Sequence, residues 1–356
     1  MMTADLHHAA AIRPGLKLRL VGKSNGVGLS RDLELLGAAL IASGCEVTQH
    51  ACERRDRKRR RSLLARLAMR LGRLRGAPPH PPFDVNVMLE HIWPQFVQQA
   101  RCNVLVPNPE WTDRRDVAML GVADWVWAKT AVAEELFAAR GSRVLRIGFD
   151  SEDRFEHAVE RLPQFLHLAG RSPLKGTQRL LALWQRHPEW PRLTLLQDMP
   201  AGNANRPAVA ANIVHQHGFV SDQDVRTLQN AHRFHLCLSE AEGWGHYIAE
   251  ALSVGAVTFT CDAPPMNELV GAGRGVLVGA RLGEQHNLVR VARFDESALE
   301  AAIARALLLS TTQLDAIGEA ARGWFLANKQ GFLARVQSAV DDIGGAVRNG
   351  APPDRR

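Results

Sequence analysis

Apolar and polar positions along the chain follow two alternating periods, close to two in short runs and close to 3.6 in longer ones. Residues 16–21 (LKLRLV) alternate apolar and basic side chains and predict a first strand. After a glycine-rich turn, apolar residues at helical spacing over 33–41 predict a helix that ends at Ser43 and Gly44. A second strand begins at Glu46, so the chain opens with the strand, helix and strand of a parallel α/β domain.

The same alternation continues and divides the chain in two. A polar, charged stretch at 150–162 separates a first α/β unit, 1–150, from a second one, 163–328, and a last segment, 329–356, contains one more helix. These boundaries predict an α/β fold with two Rossmann-like domains. Later strands are predicted at 85–90, 102–107, 124–128, 143–149, 163–169, 193–196, 212–219, 234–238, 256–260 and 275–279, and the last helices at 296–309, 312–328 and 330–347.

Composition limits the classes of protein that fit this pattern. The 356 residues are 46% hydrophobic, enough to fill two cores. No run approaches the ~18 consecutive apolar residues of a membrane span, and the N-terminus does not resemble a signal peptide. The five cysteines are odd in number and widely spaced, with no CxxC pair. We therefore expect a reducing, cytoplasmic setting without disulfides or structural zinc.

Positive charge is concentrated in one insert at 53–76. Between Arg54 and Arg75 there are eleven Lys and Arg and one acid, Asp56, which gives +10. Since the whole chain carries +7, the remainder carries 7 − 10 = −3. This distribution argues against a protein that binds nucleic acid over its whole surface and favours one local electrostatic contact.

The insert has two parts with different patterns. Its first part, 53–61, is expected to be too charged to bury. The second part predicts a helix with leucines on one arc of about 100°, flanked by arginines. This pattern fits docking on an anionic membrane surface, a solvated loop followed by a core-packing helix, or binding to an acidic polymer or nucleic acid. No aromatic residues alternate with the bases, which weakens the last alternative. The leucines are Leu63, Leu64, Leu67, Leu71 and Leu74, and the arginines are Arg66, Arg70 and Arg73.

The densest candidate chemistry lies at 239–255 (SEAEGWGHYIAEALSVG). A predicted buried strand, 234–238, precedes a glycine-rich turn and a helix, which is the layout that binds phosphorylated ligands at the carboxyl end of a strand. Glu242 lies in the turn and Glu250 lies on the helix, and carboxylates accept hydrogen bonds from sugar hydroxyls. Taken alone, the segment would also fit an ordinary capped amphipathic helix with two solvated acids.

This segment resembles the E-x7-E signature of retaining glycosyltransferases of the GT-B fold, especially family 4 (group 1). The resemblance implies two Rossmann-like domains facing a central cleft, with a C-terminal helix returning toward the first domain. It also implies transfer of a sugar from a nucleotide-sugar to an acceptor hydroxyl with retention, in polysaccharide, lipopolysaccharide or glycolipid biosynthesis, without a metal or cofactor. The matching residues are Ser239, Glu242, Gly243, Gly245, Glu250 and Ala251, with Trp244 in the usual Phe position.

A second segment strengthens the resemblance. In the family, the second domain opens with a strand, Gly-Arg, and then Lys-Gly entering a helix, and 170–176 (GRSPLKG) follows this order. The resemblance implies that Arg171 and Lys175 hold the donor diphosphate, where cations stabilise the developing negative charge. With Glu242, which would contact the donor sugar, they form the catalytic set. Two surface cations at a helix start are the alternative interpretation.

The resemblance extends to further positions in both domains. Glu250 would bind the ribose hydroxyls, and the first glycine-rich loop would face the cleft, although an ordinary βα turn also fits. Asn108, Glu110 and Lys129 are candidates for the acceptor side because they follow predicted strands. Many relatives have a His near 108–110, and this chain does not. The remaining expected donor-side residues are Gly26, Gly28, Gly243, Gly245, His246, Tyr247, Asp262 and Glu268.

Other classes of protein stay open on sequence alone. His215 and His217 would share one face of a strand, but no Cys or carboxylate completes a metal site, so we expect none. Another GT-B enzyme, such as an epimerase or phosphorylase, and a non-catalytic GT-B-like subunit that binds a glycan or nucleotide-sugar are the alternatives. The expected partners are a nucleotide-sugar, a saccharide or lipid-linked acceptor and an anionic membrane surface, with no nucleic acid.

Overall fold

The first domain is built on a six-stranded parallel sheet. The computed structural model describes residues 15–24, 26, 28–74, 80–198 and 210–348. The strand order is β2-β1-β3-β4-β5-β6, so the chain reverses its direction of strand addition between β1 and β3. The strands are β1 (Lys17–Gly22), β2 (Glu46–Ala51), β3 (Phe83–Leu89), β4 (Ala100–Val106), β5 (Trp125–Ala128) and β6 (Val144–Arg146).

The second domain repeats this plan. Its six parallel strands have the order β12-β11-β10-β7-β8-β9, with the reversal between β7 and β10. An antiparallel hairpin, β13–β14, was not expected from the sequence pattern. The strands are β7 (Leu162–Gly170), β8 (Leu193–Gln197), β9 (Ile213–His217), β10 (His232–Cys237), β11 (Val257–Cys261), β12 (Val276–Val278), β13 (Ala280–His286) and β14 (Val289–Phe294).

Helices connect the parallel strands, as parallel pairing requires. The last helix runs unbroken for 38 residues, where the sequence pattern predicts two segments. It packs against both domains, and its Arg335 donates to the carbonyl of Ile147 at 2.7 Å. The helices are α1 (Gly28–Ala42), α2 (Arg54–Arg61), α3 (Leu63–Leu74), α4 (Arg114–Val117), α5 (Ala131–Ala138), α6 (Thr177–Gln185), α7 (Asp222–Ala231), α8 (His246–Ser253), α9 (Met266–Leu269), α10 (Glu296–Leu307) and α11 (Thr311–Arg348).

Continuous apolar runs produce the sheets because both faces of each sheet are covered. The side chains of β3 are almost fully buried, from Val85 to Leu89. In the second domain, Phe165 of β7 stacks on Phe234 of β10 with ring centroids 4.7 Å apart. The predicted α/β class with two Rossmann-like domains is confirmed. In such sheets, ligands bind beyond the carboxyl ends of the strands at the point of reversal.

The basic insert corrects one expectation and disfavours one of the alternatives left open by the sequence. Its first part is the helix α2, and the expectation that this part is too charged to bury is wrong for Arg60, which is 6% exposed. Arg60 contacts Asp116 at 2.6 Å and Asp113 at 3.1 Å, and these carboxylates make its burial tolerable. In α3, the four leucines whose side chains the structure describes are exposed, so they do not pack into a core. The side chains of Arg73 and Leu74 lie outside the described residues.

Candidate active site

Lys175 and Glu242 meet at the reversal point of the second sheet. Lys175 follows β7 and Glu242 follows β10, the two strands that flank this point. The Lys175 ammonium donates to Glu242 Oε1 at 2.5 Å, and both side chains are 15% exposed. The structure therefore brings together the two residues that the sequence assigns to the diphosphate and the donor sugar.

Glycines allow this close approach. Gly176 adopts φ +66°, and a Cβ there would lie 2.8 Å from the carbonyl oxygen of Leu238. Gly245 precedes α8 with φ +100°, a conformation that is unfavourable for other residues. The first amides of α8 are consequently directed toward the same end of the sheet as Lys175. A helix N-terminus and an ammonium group together form an anion site.

Ser239 and Tyr247 hold the pair in place. Ser239 Oγ donates to Glu242 Oε1 at 2.5 Å and also contacts the Tyr247 hydroxyl at 2.5 Å. The Lys175 ammonium lies 3.4 Å from the centroid of the Tyr247 ring, a cation–π contact. Burial raises the pKa of the Tyr247 phenol, so this ring stays neutral and serves as a platform.

Glu250 connects the second domain to the first. It is 4% exposed and accepts from Gln229 Nε2 at 3.1 Å. Its other oxygen forms an ion pair with Arg31, which lies in the first turn of α1. The carboxylate that the resemblance assigns to the ribose therefore contacts a cation of the opposite domain.

A second connection runs through Asp32. Its carboxylate accepts from His246 Nε2 at 2.7 Å and from the Lys129 ammonium at 2.6 Å. Burial opposes ionisation, but Lys129 and His246 outweigh it and lower the pKa of Asp32 to about 2. Ser151 contacts the other ring nitrogen of His246 at 2.9 Å, so both ring nitrogens are engaged.

The acceptor-side candidates lie against these residues. Lys129 also donates to Asn108 Oδ1 at 2.9 Å. A Cβ on Gly243 would lie 2.3 Å from the same oxygen, so the glycine turn of the second domain rests on Asn108. Glu110 is 5% exposed, and its Oε2 has no hydrogen-bond partner among the described residues. Burial raises the pKa of Glu110 to about 8, and the nearby charge of Glu242 adds to this rise.

The remaining predicted positions are spread more widely. Glu268 accepts from the backbone amides of Ala131 and Val132, 2.7 and 3.1 Å away, and so caps α5 of the first domain. Arg171 is 73% exposed at its side chain and pairs with Asp198 at 2.5 Å. Asp262 is exposed and accepts from Asn267.

The glycine turn of the first domain is open to the cleft side. A Cβ on Gly26 or Gly28 would meet nothing within 4 Å among the described residues. Gly28 begins α1, and this helix carries Arg31 in its first turn and Asp32 directly after it. The sequence analysis missed both residues. Their position in the helix turn that follows a glycine-rich loop was the available signal.

Comparison with known proteins gives the fold a name. No protein-family model and no curated protein matches the chain. Among solved structures, sucrose-phosphate synthase from Thermosynechococcus elongatus has a TM-score of 0.65 at 14% identity, with 93% of this chain and 100% of that chain covered. HepE from Anabaena, solved with UDP-glucose, has a TM-score of 0.60 at 15% identity, with 93% and 100% covered.

A third similar structure is a longer protein. The pneumococcal O-GlcNAc transferase GtfA, solved with UDP and GlcNAc, has a TM-score of 0.57 at 12% identity. The match covers 78% of this chain and 59% of that one, so this chain spans little more than half of GtfA. These neighbours are GT-B glycosyltransferases, and the likeness shows that the chain has the GT-B fold.

Proposed function

We propose that this protein is a retaining glycosyltransferase that moves a sugar from a nucleotide-sugar to an acceptor hydroxyl. One observation carries the proposal: Lys175 and Glu242 form a contact at the reversal point of the second sheet, beside the N-terminus of α8. This arrangement supplies a cation and helix amides for a diphosphate, and a carboxylate for sugar hydroxyls. UDP-glucose and UDP occur in the structures of similar fold.

The proposed donor roles follow the geometry. Lys175 and the first amides of α8 neutralise the diphosphate, and Arg171 approaches it from the exposed rim. Glu242 accepts hydrogen bonds from the donor sugar. Glu250 binds the ribose, and in doing so it exchanges its ion pair with Arg31 for ribose hydroxyls. Binding of the nucleotide is therefore coupled to a contact between the two domains.

The transfer itself needs no carboxylate nucleophile in this proposal. The bond between the anomeric carbon and the diphosphate oxygen breaks, and its electron pair leaves on the diphosphate. The acceptor oxygen bonds to the same face of the sugar and gives its proton to the departing phosphate oxygen. The protein contributes positioning and charge stabilisation, with Lys175 in the place where other enzymes use a divalent ion.

A panel of nucleotide-sugars tests the donor proposal. UDP-, GDP- and ADP-sugars are screened by thermal shift, and each donor that binds is incubated with saccharide and lipid-linked acceptors. We expect one nucleotide to raise the Tm, and we expect NMR of the product to show the anomeric configuration of the donor. Binding without transfer or hydrolysis would favour a non-catalytic subunit, and an inverted product would refute retention.

We also propose that α2 and α3 dock the enzyme on an anionic membrane surface, as glycolipid or lipopolysaccharide synthesis would require. Six of the seven basic residues of α2 are exposed. Each basic residue near an anionic leaflet contributes about 1 kcal/mol. No helix within the described ranges is long and apolar enough to cross a bilayer. The proposed attachment is therefore peripheral.

The direction of the leucines in α3 supports this attachment. Met69 is 3% exposed and marks the side of the helix that packs on the domain. At about 100° per residue, the centre of the leucine arc lies roughly 170° away from Met69. The apolar stripe consequently faces outward, the reverse of a helix that packs into a core. The exposed side chains are Leu63, Leu64, Leu67 and Leu71, at 62%, 77%, 45% and 57%.

Vesicle sedimentation tests the docking surface. Replacing the four leucines with serine should abolish binding to vesicles rich in phosphatidylglycerol while the donor-induced thermal shift is unchanged. Leu308→Ser is the matched control, because Leu308 is 86% exposed in the other domain. Equal binding by the wild type and the quadruple variant would contradict a membrane role for α3.

A further inference from the structure

Three metal-binding side chains meet where the basic insert begins. His50 lies near the end of β2, Cys52 follows that strand, and Asp56 lies in the first turn of α2. One ligand atom from each lies within 4.8 Å of the other two. His50 Nε2 and Asp56 Oδ2 are already 3.4 Å apart. The sequence analysis expected no metal site, because no CxxC pair occurs and because His215 and His217 lack a Cys or carboxylate that would complete one.

A fourth group completes the set. Gln95 Nε2 donates to Asp56 Oδ1 at 3.2 Å, which places this amide beside the cluster. Gln95 Oε1 is buried without a hydrogen-bond partner among the described residues. Rotation of the amide by half a turn would exchange its oxygen and nitrogen and direct the oxygen to the cluster.

We propose that His50, Cys52, Asp56 and Gln95 bind one Zn²⁺ ion. Thiolate, imidazole and oxygen ligands at tetrahedral positions are the set that zinc prefers. With metal–ligand bonds of 2.0–2.3 Å, tetrahedral ligand atoms lie about 3.3 to 3.8 Å apart. The ligand atoms of His50, Cys52 and Asp56, which lie within 4.8 Å of one another, therefore need to close by roughly 1 Å. This site is independent of the proposed sugar transfer, which uses Lys175.

The charges around the site are balanced by the ion. Binding removes the thiol proton of Cys52 to solvent and forms the sulfur–zinc bond, and Asp56 supplies a second negative charge. The occupied site is therefore neutral, although it lies beside the positive groups Arg19 and Lys23.

Contacts around the ligands favour a defined geometry. The backbone amide of Glu53 donates to Asp56 Oδ2 at 3.1 Å, and the His50 ring packs edge-on against Phe96 at 4.7 Å. Such surrounding contacts orient metal ligands and tune affinity. The ion would join the end of β2, an edge strand of the first sheet, to the first turn of α2. We infer that zinc fixes the basic insert in the orientation that presents α3.

Titration of the metal-free full chain with Co²⁺, followed by displacement with Zn²⁺, tests the site. We expect one equivalent to bind, with the visible bands of tetrahedral cobalt and a thiolate charge-transfer band in the near ultraviolet. Cys52→Ser should remove the charge-transfer band, and Asp56→Asn should weaken zinc binding at least tenfold. Cys45→Ser is the matched control, since Cys45 and Cys52 are both 8% exposed.

Limited trypsin digestion gives a second readout that does not depend on enzyme activity. Zinc should slow cleavage in α2 of the wild type and of Cys45→Ser, but not of Asp56→Asn, whose shape is nearly unchanged. Absence of stoichiometric binding overturns the proposal. A charge-transfer band that persists in Cys52→Ser overturns it as well, and so does zinc protection that is equal in wild type and Asp56→Asn.

Discussion

In both domains, candidate site residues lie beyond the carboxyl ends of the strands, but the two domains bring these residues together in different ways. In the second domain, the reversal between β7 and β10 joins Lys175 to Glu242, two residues that stand in recognisable local motifs. In the first domain, Asn108 follows β4 and Lys129 follows β5, away from the reversal between β1 and β3, and both meet Asp32 of α1 through the Lys129 ammonium. The second-domain half of the candidate site, Lys175 and Glu242, can be recognised from motifs in the sequence. The first-domain half, Asp32, Asn108 and Lys129, can be recognised only in the folded structure.

The comparison shows where the two halves depend on each other. Arg31 and Glu250 are separated by 219 positions, and Asp32 and His246 by 214. These contacts cross from the N-terminal part of α1 to α8. The α8 side of the candidate site is thus held in its present form partly by a cation and a carboxylate of the other domain. Variants on either side can test how strong this dependence is.

The largest expected effect is on the free energy of unfolding, and it comes from Glu110 in the first domain, whose candidate residues stand in no recognisable motif. Its pKa is raised from 4.5 to about 8, so the folded protein holds this proton at pH values where the unfolded chain has lost it. The contribution of Glu110 to stability is therefore greatest below about pH 4.5 and falls as pH rises to about 8. The loss amounts to about 5 kcal/mol if one unit of pKa is about 1.4 kcal/mol. Glu110→Gln should remove this loss, as denaturant unfolding measured between pH 5 and 9 would show.

The control for this measurement is Glu134→Gln, an exposed acid of the same domain whose side chain is 41% accessible. We expect its unfolding free energy to follow the wild type at every pH. If Glu110→Gln also follows the wild type from pH 5 to 9, then Glu110 is not a buried neutral acid. The Glu110 carboxyl would then be more accessible to solvent than its burial in the structure indicates.

Lys175→Ala tests the second-domain part of the candidate site, where the sequence motifs lie. The ammonium neutralises the diphosphate in the proposed reaction, so kcat/KM should fall at least a hundredfold, about 2.7 kcal/mol. Circular dichroism and Tm should show that the fold survives, because the side chain lies at the cleft rather than in a core. Arg171→Ala is expected to lose less, since Arg171 is 73% exposed and already pairs with Asp198. Near-normal turnover by purified Lys175→Ala would refute the assigned role.

The sequence predicted the sheets, and it singled out Lys175 and Glu242, which meet in the structure, because both depend on local signals. Apolar runs of period two and glycine turns identify parallel strands, and Lys175 and Glu242 each stand at a strand end. The contacts of Arg31, Asp32 and Glu268 could not be predicted, because their partners depend on how two domains meet. The buried state of Arg60 was missed for a different reason, because its partners Asp113 and Asp116 belong to the same domain but lie more than fifty positions away along the chain.

Asp32→Asn should weaken the link between the halves by a smaller amount. Because the pKa of Asp32 is lowered from 3.8 to about 2, its stabilisation is present above about pH 3.8 and is lost as pH falls toward 2. The shift corresponds to about 2 kcal/mol. The variant should lose this amount at pH 7, and its difference from the wild type should vanish near pH 2. A constant difference across this range would mean that Asp32 acts through packing rather than through charge.

The smallest expected effect tests the contact between Gly243 and Asn108. In Gly243→Ala, the new Cβ would lie 2.3 Å from Asn108 Oδ1, which Lys129 holds in place, so the two domains must separate slightly. Overpacking of this kind costs about 1 to 2 kcal/mol and should lower kcat/KM by about tenfold. Asn108→Gly should recover activity in the double variant, because it removes all three atoms that the Cβ would meet. Gly323→Ala is the control, since its Cβ would meet nothing among the described residues. If the losses in kcat/KM of Gly243→Ala and Asn108→Gly simply add in the double variant, then Gly243 and Asn108 are not in contact during turnover.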